Sequence, residues 1–265
     1  MSTPQPPAAP RRVVLVTGAA RRIGRTIALE LAEHGCEVAV HYRGSEVDAL
    51  ATVAAVRATG ANAHAFQADL SDEGACKELV PSVVAHFGHL DAVVNNASTF
   101  EYDDAASFSH AAMDKHWRAN TAPAVLLAHS LHAHGVARHT SGCVVNIIDQ
   151  KLWNPNPDYF SYTLSKAALQ AATVMLAQAL APVLRVCGVA PGVTLASGPM
   201  SDGEFERAHR LTPLQRSSTP ADIAHAVRFL IESPAITGTT LLVDGGQHLV
   251  GQPRDVLYLA KTTKD

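Results

Sequence analysis

Short valine-rich runs recur along the whole chain, each separated from the next by a longer stretch with helical periodicity. VVLVT (13–17), EVAVHY (37–42), AHAFQA (63–68), DAVVNN (91–96), CVVNII (143–148), RVCGVA (185–190) and TLLVD (240–244) read as buried strands. Helices are expected over 22–34, 46–59, 72–87, 112–133, 159–181 and 220–232. Gly35 punctuates the end of the first, and Thr219-Pro220-Ala221-Asp222 opens the last with a cap-like residue and a proline. Alternation of this kind leaves few architectures open. It predicts a single α/β domain over 12–250, a doubly wound parallel sheet covered by helices on both faces. Ligands of such a sheet bind beyond the carboxyl ends of its strands, so the informative residues should follow each strand.

The rest of the composition mostly excludes. A chain of 265 residues, 47% hydrophobic and 17% charged, reads as globular and soluble. Its formal charge of −3 offers no general attraction to nucleic acid or an anionic membrane. The four cysteines, 36, 76, 143 and 187, lack CxxC spacing and read as reduced thiols. Residues 1–11, rich in proline and without the apolar core of a signal peptide, read as a flexible arm. No apolar run approaches the ~20 residues of a membrane span, and a cytoplasmic protein is expected. The histidines at 129, 132, 134 and 139 come with no HExxH or paired metal motif, so no metal is expected.

The first strand ends in VTGAARRIG (16–24). Thr17, Gly18 and Gly24 are small enough to let backbone N–H groups and a helix N-terminus approach a pyrophosphate. The spacing Gly-x5-Gly is not the GxGxxG fingerprint and by itself can be an ordinary turn. The second strand ends HYRGS (41–45), with Arg43 and Ser45 where a carboxylate would hold an NAD ribose. Guanidinium and hydroxyl groups suit a 2′-phosphate, and Arg21 and Arg22 add positive charge on the facing turn. Either these arginines are solvated surface charges or they select NADPH; their convergence favours NADPH.

Tyr162 and Lys166, in DYFSYTLSKAAL, lie four residues apart and so share one helix face. A nearby ammonium favours tyrosinate and is expected to lower the tyrosine pKa. The alternative is an ordinary amphipathic helix.

Taken in order, these segments resemble the short-chain dehydrogenase/reductase family from residue 12 to about 250, and the resemblance implies a Rossmann-like fold. Thr17-Gly18 through Gly24 is similar to its cofactor loop; Asp69, followed by Leu70, stands at its adenine-contacting position. Asn95-Asn96-Ala97 resembles its NNAG segment, Asn120 its catalytic-site asparagine, Tyr162 and Lys166 its acid/base pair, and Pro191-Gly192 its turn beside nicotinamide. Ile23, Tyr42, Asn96, Ala97 and Ser98 complete the implied cofactor contacts.

The departures are as informative. Asp149 stands where the family's catalytic serine is expected, thirteen residues before the tyrosine; Arg22 replaces a glycine; NNAG has become NNAS, followed by Thr99 and Phe100. Together they resemble pteridine reductases and dihydromonapterin reductases. An ionised carboxylate opposes the oxyanion of carbonyl reduction, whereas a carboxyl group can relay a proton to a pterin nitrogen. The resemblance implies Tyr162 as proton donor, Asp149 assisting it, Lys166 on the nicotinamide ribose, Asn120 organising a water-linked proton path, and Arg22, Ser98 and Phe100 orienting substrate. Plainer readings compete: Asp149 pairing with Lys151 or capping a loop, Phe100 in the core, Asp69 starting a helix. Residues 195–219 are expected to be a substrate lid, 251–265 a tail at a subunit contact, and the assembly a homotetramer. The alternatives are a broad carbonyl or 3-oxoacyl reductase and a nucleotide-binding regulator without turnover.

Overall fold

A computed structural model describes residues 11–196 and 200–262; residues 1–10 of the expected arm, 197–199 of the expected lid and the last three residues lie outside the described chain. Seven parallel strands form one sheet in the order β3-β2-β1-β4-β5-β6-β7. They are β1 (Val13–Val16), β2 (Glu37–Tyr42), β3 (Ala63–Gln67), β4 (Ala92–Asn95), β5 (Gly142–Ile147), β6 (Leu184–Pro191) and β7 (Thr240–Val243). The helices are α1 (Arg22–Glu33), α2 (Glu46–Ala58), α3 (Glu73–Phe87), α4 (His110–His116), α5 (Ala122–Arg138), α6 (Phe160–Ala179), α7 (Asp202–Arg210), α8 (Pro220–Glu232) and α9 (Val256–Thr262).

Alternation along each strand builds the two sides of the core. Val14, Val16, Val38, Val40, Val145 and Val189 face α1, α2 and α8, while Val13, Leu15, Val93, Val144 and Val186 face α3, α5 and α6. Each side chain of this size, fully buried, contributes about 1.5–3 kcal/mol. The direction of winding reverses between β1 and β4, which pair through Val14–Ala92 and Val16–Val94. Thr17 Oγ1 locks that junction by accepting from the N–H groups of Asn96 (2.9 Å) and Ala97 (3.0 Å).

One expected element changes. The helix expected over 112–133 is interrupted by a π-helical turn, Trp117–Thr121, between α4 and α5. One inserted residue barely alters a 3.6-residue periodicity, so the sequence pattern cannot show it. The stretch 195–219 holds α7, opened by a capping box in which Ser201 and Glu204 bond each other's backbone N–H. SDGE is itself the sequence signature of that box. The described part of the tail carries α9, which packs on α7 of the same chain. Arg11, assigned to the arm, already donates to Gly60 O at 2.8 Å. Among the described residues no helix is long and apolar enough to cross a membrane.

Candidate active site

Two adjoining clefts open at the carboxyl ends of the strands, one of about 510 Å³ beside β1–β3 and one of about 460 Å³ beside β4–β6. Arg22, Ile23, Asn96 and Ser98 line both and so stand between them.

The first cleft is built around the β1–α1 turn. Gly18 adopts φ +63°, and a Cβ on Gly24 would lie 2.3 Å from Gly18 O and 2.5 Å from Asn96 Nδ2. Close packing of turn on helix therefore requires glycine at 24. Arg22 takes φ +54°, a left-handed conformation that normally favours glycine, at the position where the loop pattern leads one to expect that residue. Its guanidinium donates to Ala196 O at 3.0 Å. Arg21 donates to Ser45 Oγ at 2.8 Å and sits 3.5 Å from Asp48, which brings the two basic elements together at the end of β2 beside Arg43. Tyr42, Asp69, Leu70, Ala97 and Gly18 line the same cleft. Asp69 accepts from Ser71 N and Oγ, whose hydrogen bonds hold its carboxyl below the usual range. The cap of α3 is Asp72 instead, so Asp69 is not a helix-start residue. A turn with free approach to a helix N-terminus, followed by arginine and serine, fits a phosphorylated dinucleotide.

His41 was not legible as a site residue. It is buried, its Nδ1 accepts from Gly18 N–H (3.0 Å), and its Nε2 faces Ala68 O (3.1 Å). The Gly18 donor fixes the neutral tautomer with the proton on Nε2. Burial pushes its pKa down to about 4. The ring thus joins the ends of three strands behind the first cleft.

The second cleft brings Asp149, Tyr162 and Lys166 together. Asp149 follows β5, and Tyr162 and Lys166 lie in the first two turns of α6. Tyr162 donates its hydroxyl proton to Asp149 Oδ2 at 2.8 Å, and Lys151 N–H holds Asp149 Oδ1 at 2.9 Å. Lys166 Nζ, buried, donates to Ile147 O at 2.7 Å. Burial lowers its pKa to about 8, against the Asp149 carboxylate. The expected acidification of Tyr162 by Lys166 is not what the geometry gives. Burial, then the facing Asp149 carboxylate, raises the tyrosine well above its ordinary range, and burial also raises Asp149. The group against the hydroxyl is a carboxyl, not an ammonium, and it keeps the tyrosine protonated.

Phe100 lines this cleft rather than the core, 42% exposed. One ring face stacks on Tyr159 (4.0 Å, 16°), and Tyr162 meets the ring at 4.7 Å and 86°. Tyr159, at the start of α6, has φ +54° and gives that helix no side-chain cap. Asp103 supplies it from the Phe100 loop, accepting from Ser161 N–H (2.9 Å), from Ser161 Oγ, and through its carbonyl from Phe160 N–H. Pro191 and Gly192 close the cleft from β6.

Two expected site residues lie behind it. Thr17 is buried at the strand junction and lines neither cleft. Asn120, in the π-helical turn, donates to Thr99 O and Ser165 Oγ and accepts from Thr99 N–H and Ser98 Oγ. A carboxamide has two donors and two acceptor lone pairs, so these four bonds saturate it. Its side chain clamps the 98–99 loop and has no capacity left to organise a water path.

The family model described as "Enoyl-(Acyl carrier protein) reductase" matches residues 18–248. A 3-oxoacyl-[acyl-carrier-protein] reductase from Staphylococcus aureus is 35% identical, the match covering 89% of this chain and 97% of that protein. Two solved structures are similar at 42% identity: FolM alternative dihydrofolate reductase 1 from Brucella canis complexed with NADP and its counterpart from Brucella suis in complex with NADP. The first has a TM-score of 0.84 over 90% of this chain and 95% of that one, the second 0.86 over 91% and 96%.

Proposed function

The chain belongs to the short-chain dehydrogenase/reductase family of oxidoreductases, and from that premise we propose that it uses NADPH to reduce a pterin, a dihydropterin to its tetrahydro form. The observation that carries this reading is the 2.8 Å hydrogen bond from the Tyr162 hydroxyl to the Asp149 carboxyl. Reduction of a C=N bond adds hydride to carbon and a proton to nitrogen. NADPH supplies the hydride when bound. Tyr162 gives its hydroxyl proton to the substrate nitrogen, and Asp149, whose carboxyl burial makes easier to protonate, passes a proton on to it. Lys166 holds the nicotinamide ribose. Phe100, fixed by Tyr159, offers a flat face to the heterocycle, while Arg22 and Ser98 orient its edge between the two clefts. Arg21, Arg43 and Ser45 hold the 2′-phosphate, with Asp69 and Leu70 at the adenine.

The similarity to FolM structures solved with NADP supports both substrate class and cofactor. A second reading, reduction of a 3-oxoacyl thioester, is favoured by the identity to the staphylococcal reductase. Asp149 stands where a serine would hydrogen-bond the developing alkoxide, and once it has given up its proton its charge opposes that alkoxide. Initial rates of NADPH oxidation with a dihydropterin and with a 3-oxoacyl thioester, each repeated with NADH, test the proposal. Turnover of the thioester alone overturns the pterin assignment. We place the enzyme in the cytoplasm as a homotetramer. Sedimentation velocity checks the assembly, to which the exposed Leu164, Val174 and Met175 of α6 offer an apolar face.

A further inference from the structure

The family model ends at residue 248, yet the chain beyond it returns to the second cleft, where Gln252, Asp255, Val256 and Leu257 form part of the lining. Asp158 is the hub of that docking. Its buried carboxylate accepts from Arg254 Nε (2.8 Å) and Nη2 (2.8 Å) and from Asp255 N–H (2.7 Å). Its carbonyl accepts from the buried Lys151 ammonium at 2.6 Å, and the same ammonium reaches Asp255 Oδ2 at 3.3 Å. One residue thus fixes both the segment and the cation that orients Asp255. Lys151 and Asp255 both line the cleft, the ammonium 5% exposed and the carboxylate 16%, so Asp255 is the more open of the two.

We propose that Gln252–Leu257 is the substrate-recognising wall of this cleft and that Asp255 is a specificity-determining residue that disfavours anionic substituents on the substrate. The inference rests on the pterin reading and adds to it a preference among pterins. An ionised carboxylate has only acceptors, so it suits N–H and O–H groups on the substrate and repels a carboxylate or phosphate. Lys151, spent on Asp158 O and Asp255, offers such an anion no free cation. Asp158 and Lys151 act through Asp255 and are positioning residues.

The test compares kcat/KM for dihydrobiopterin, whose side arm is uncharged, with that for dihydrofolate, whose arm bears carboxylates, using the full chain with NADPH. Asp255→Asn is expected to raise the dihydrofolate-to-dihydrobiopterin ratio roughly tenfold, through KM, while the Kd for NADPH stays as in the wild type. The double variant Lys151→Met, Asp255→Asn removes the pair together and carries the test if the single change unfolds the chain. A ratio within about twofold of the wild type in folded variants overturns the role of Asp255. Wild-type turnover of a 3-oxoacyl-CoA and of neither pterin overturns the pterin reading, and this inference with it.

Discussion

Tyr162 and Asp149 stand 2.8 Å apart, hydroxyl to carboxylate, although thirteen residues and a change from strand to helix separate them. The partner of Tyr162 four residues later, Lys166, points instead at Ile147 O. Tyr162 is therefore kept protonated, as the proposed proton donor must be, and the proposed reaction makes turnover depend on the carboxyl beside it.

Replacing that group separates the two substrate classes. Asp149→Ser is expected to reduce dihydropterin turnover about 10²-fold or more, the scale of a lost general acid, and to raise carbonyl reduction relative to it. Steady-state kcat/KM on both substrates reads the outcome, and equal losses on both would falsify the relay.

The proposed choice of cofactor rests on the arginine-serine pocket. Arg21→Ala and Arg43→Ala are each expected to weaken NADPH about 10- to 100-fold, the equivalent of one charge-assisted hydrogen bond, and to leave NADH almost unchanged. Fluorescence titration with the two cofactors measures this. A parallel loss for both would place the arginines outside 2′-phosphate recognition.

His41 ties stability to pH. In the unfolded chain its ring takes a proton near 6.5, in the folded chain only near 4. Between those values the unfolded state binds more protons, so stability falls as pH falls, by about 3 kcal/mol across the window. Denaturant unfolding from pH 7 to 4 should show a shallower fall in His41→Gln, which retains one donor and one acceptor. Identical slopes in the two proteins would rule the ring out as the source.

Gly24→Ala tests the packing of the turn. Its new Cβ would lie 2.3 Å from a backbone oxygen, which α1 can relieve only by shifting away from β1. A loss of about 1–3 kcal/mol is expected, together with loss of NADPH affinity, read by thermal melting and by titration. A variant that melts and binds like the wild type would show that the turn has room to move.

The sequence by itself determined the order of the elements, their sorting onto two faces of a sheet, and the strand ends at which the site would lie. Each of these depends on periodicity or on residues a few positions apart. Tyr162 and Lys166 share a helix face for that reason, and Arg43 and Ser45 follow one strand. The tertiary structure decided what those residues meet. His41 reaches Gly18 and Ala68 only because β2 lies between β1 and β3 in the sheet. Asn120 spends its whole amide on the 98–99 loop and Ser165 because a π-helical turn sets it there. Asp255, 104 residues from Lys151, enters the cleft because buried Asp158 holds Arg254 and the Asp255 backbone. Local spacing carries no record of such long-range partners, since they exist only once the sheet order has brought the segments together.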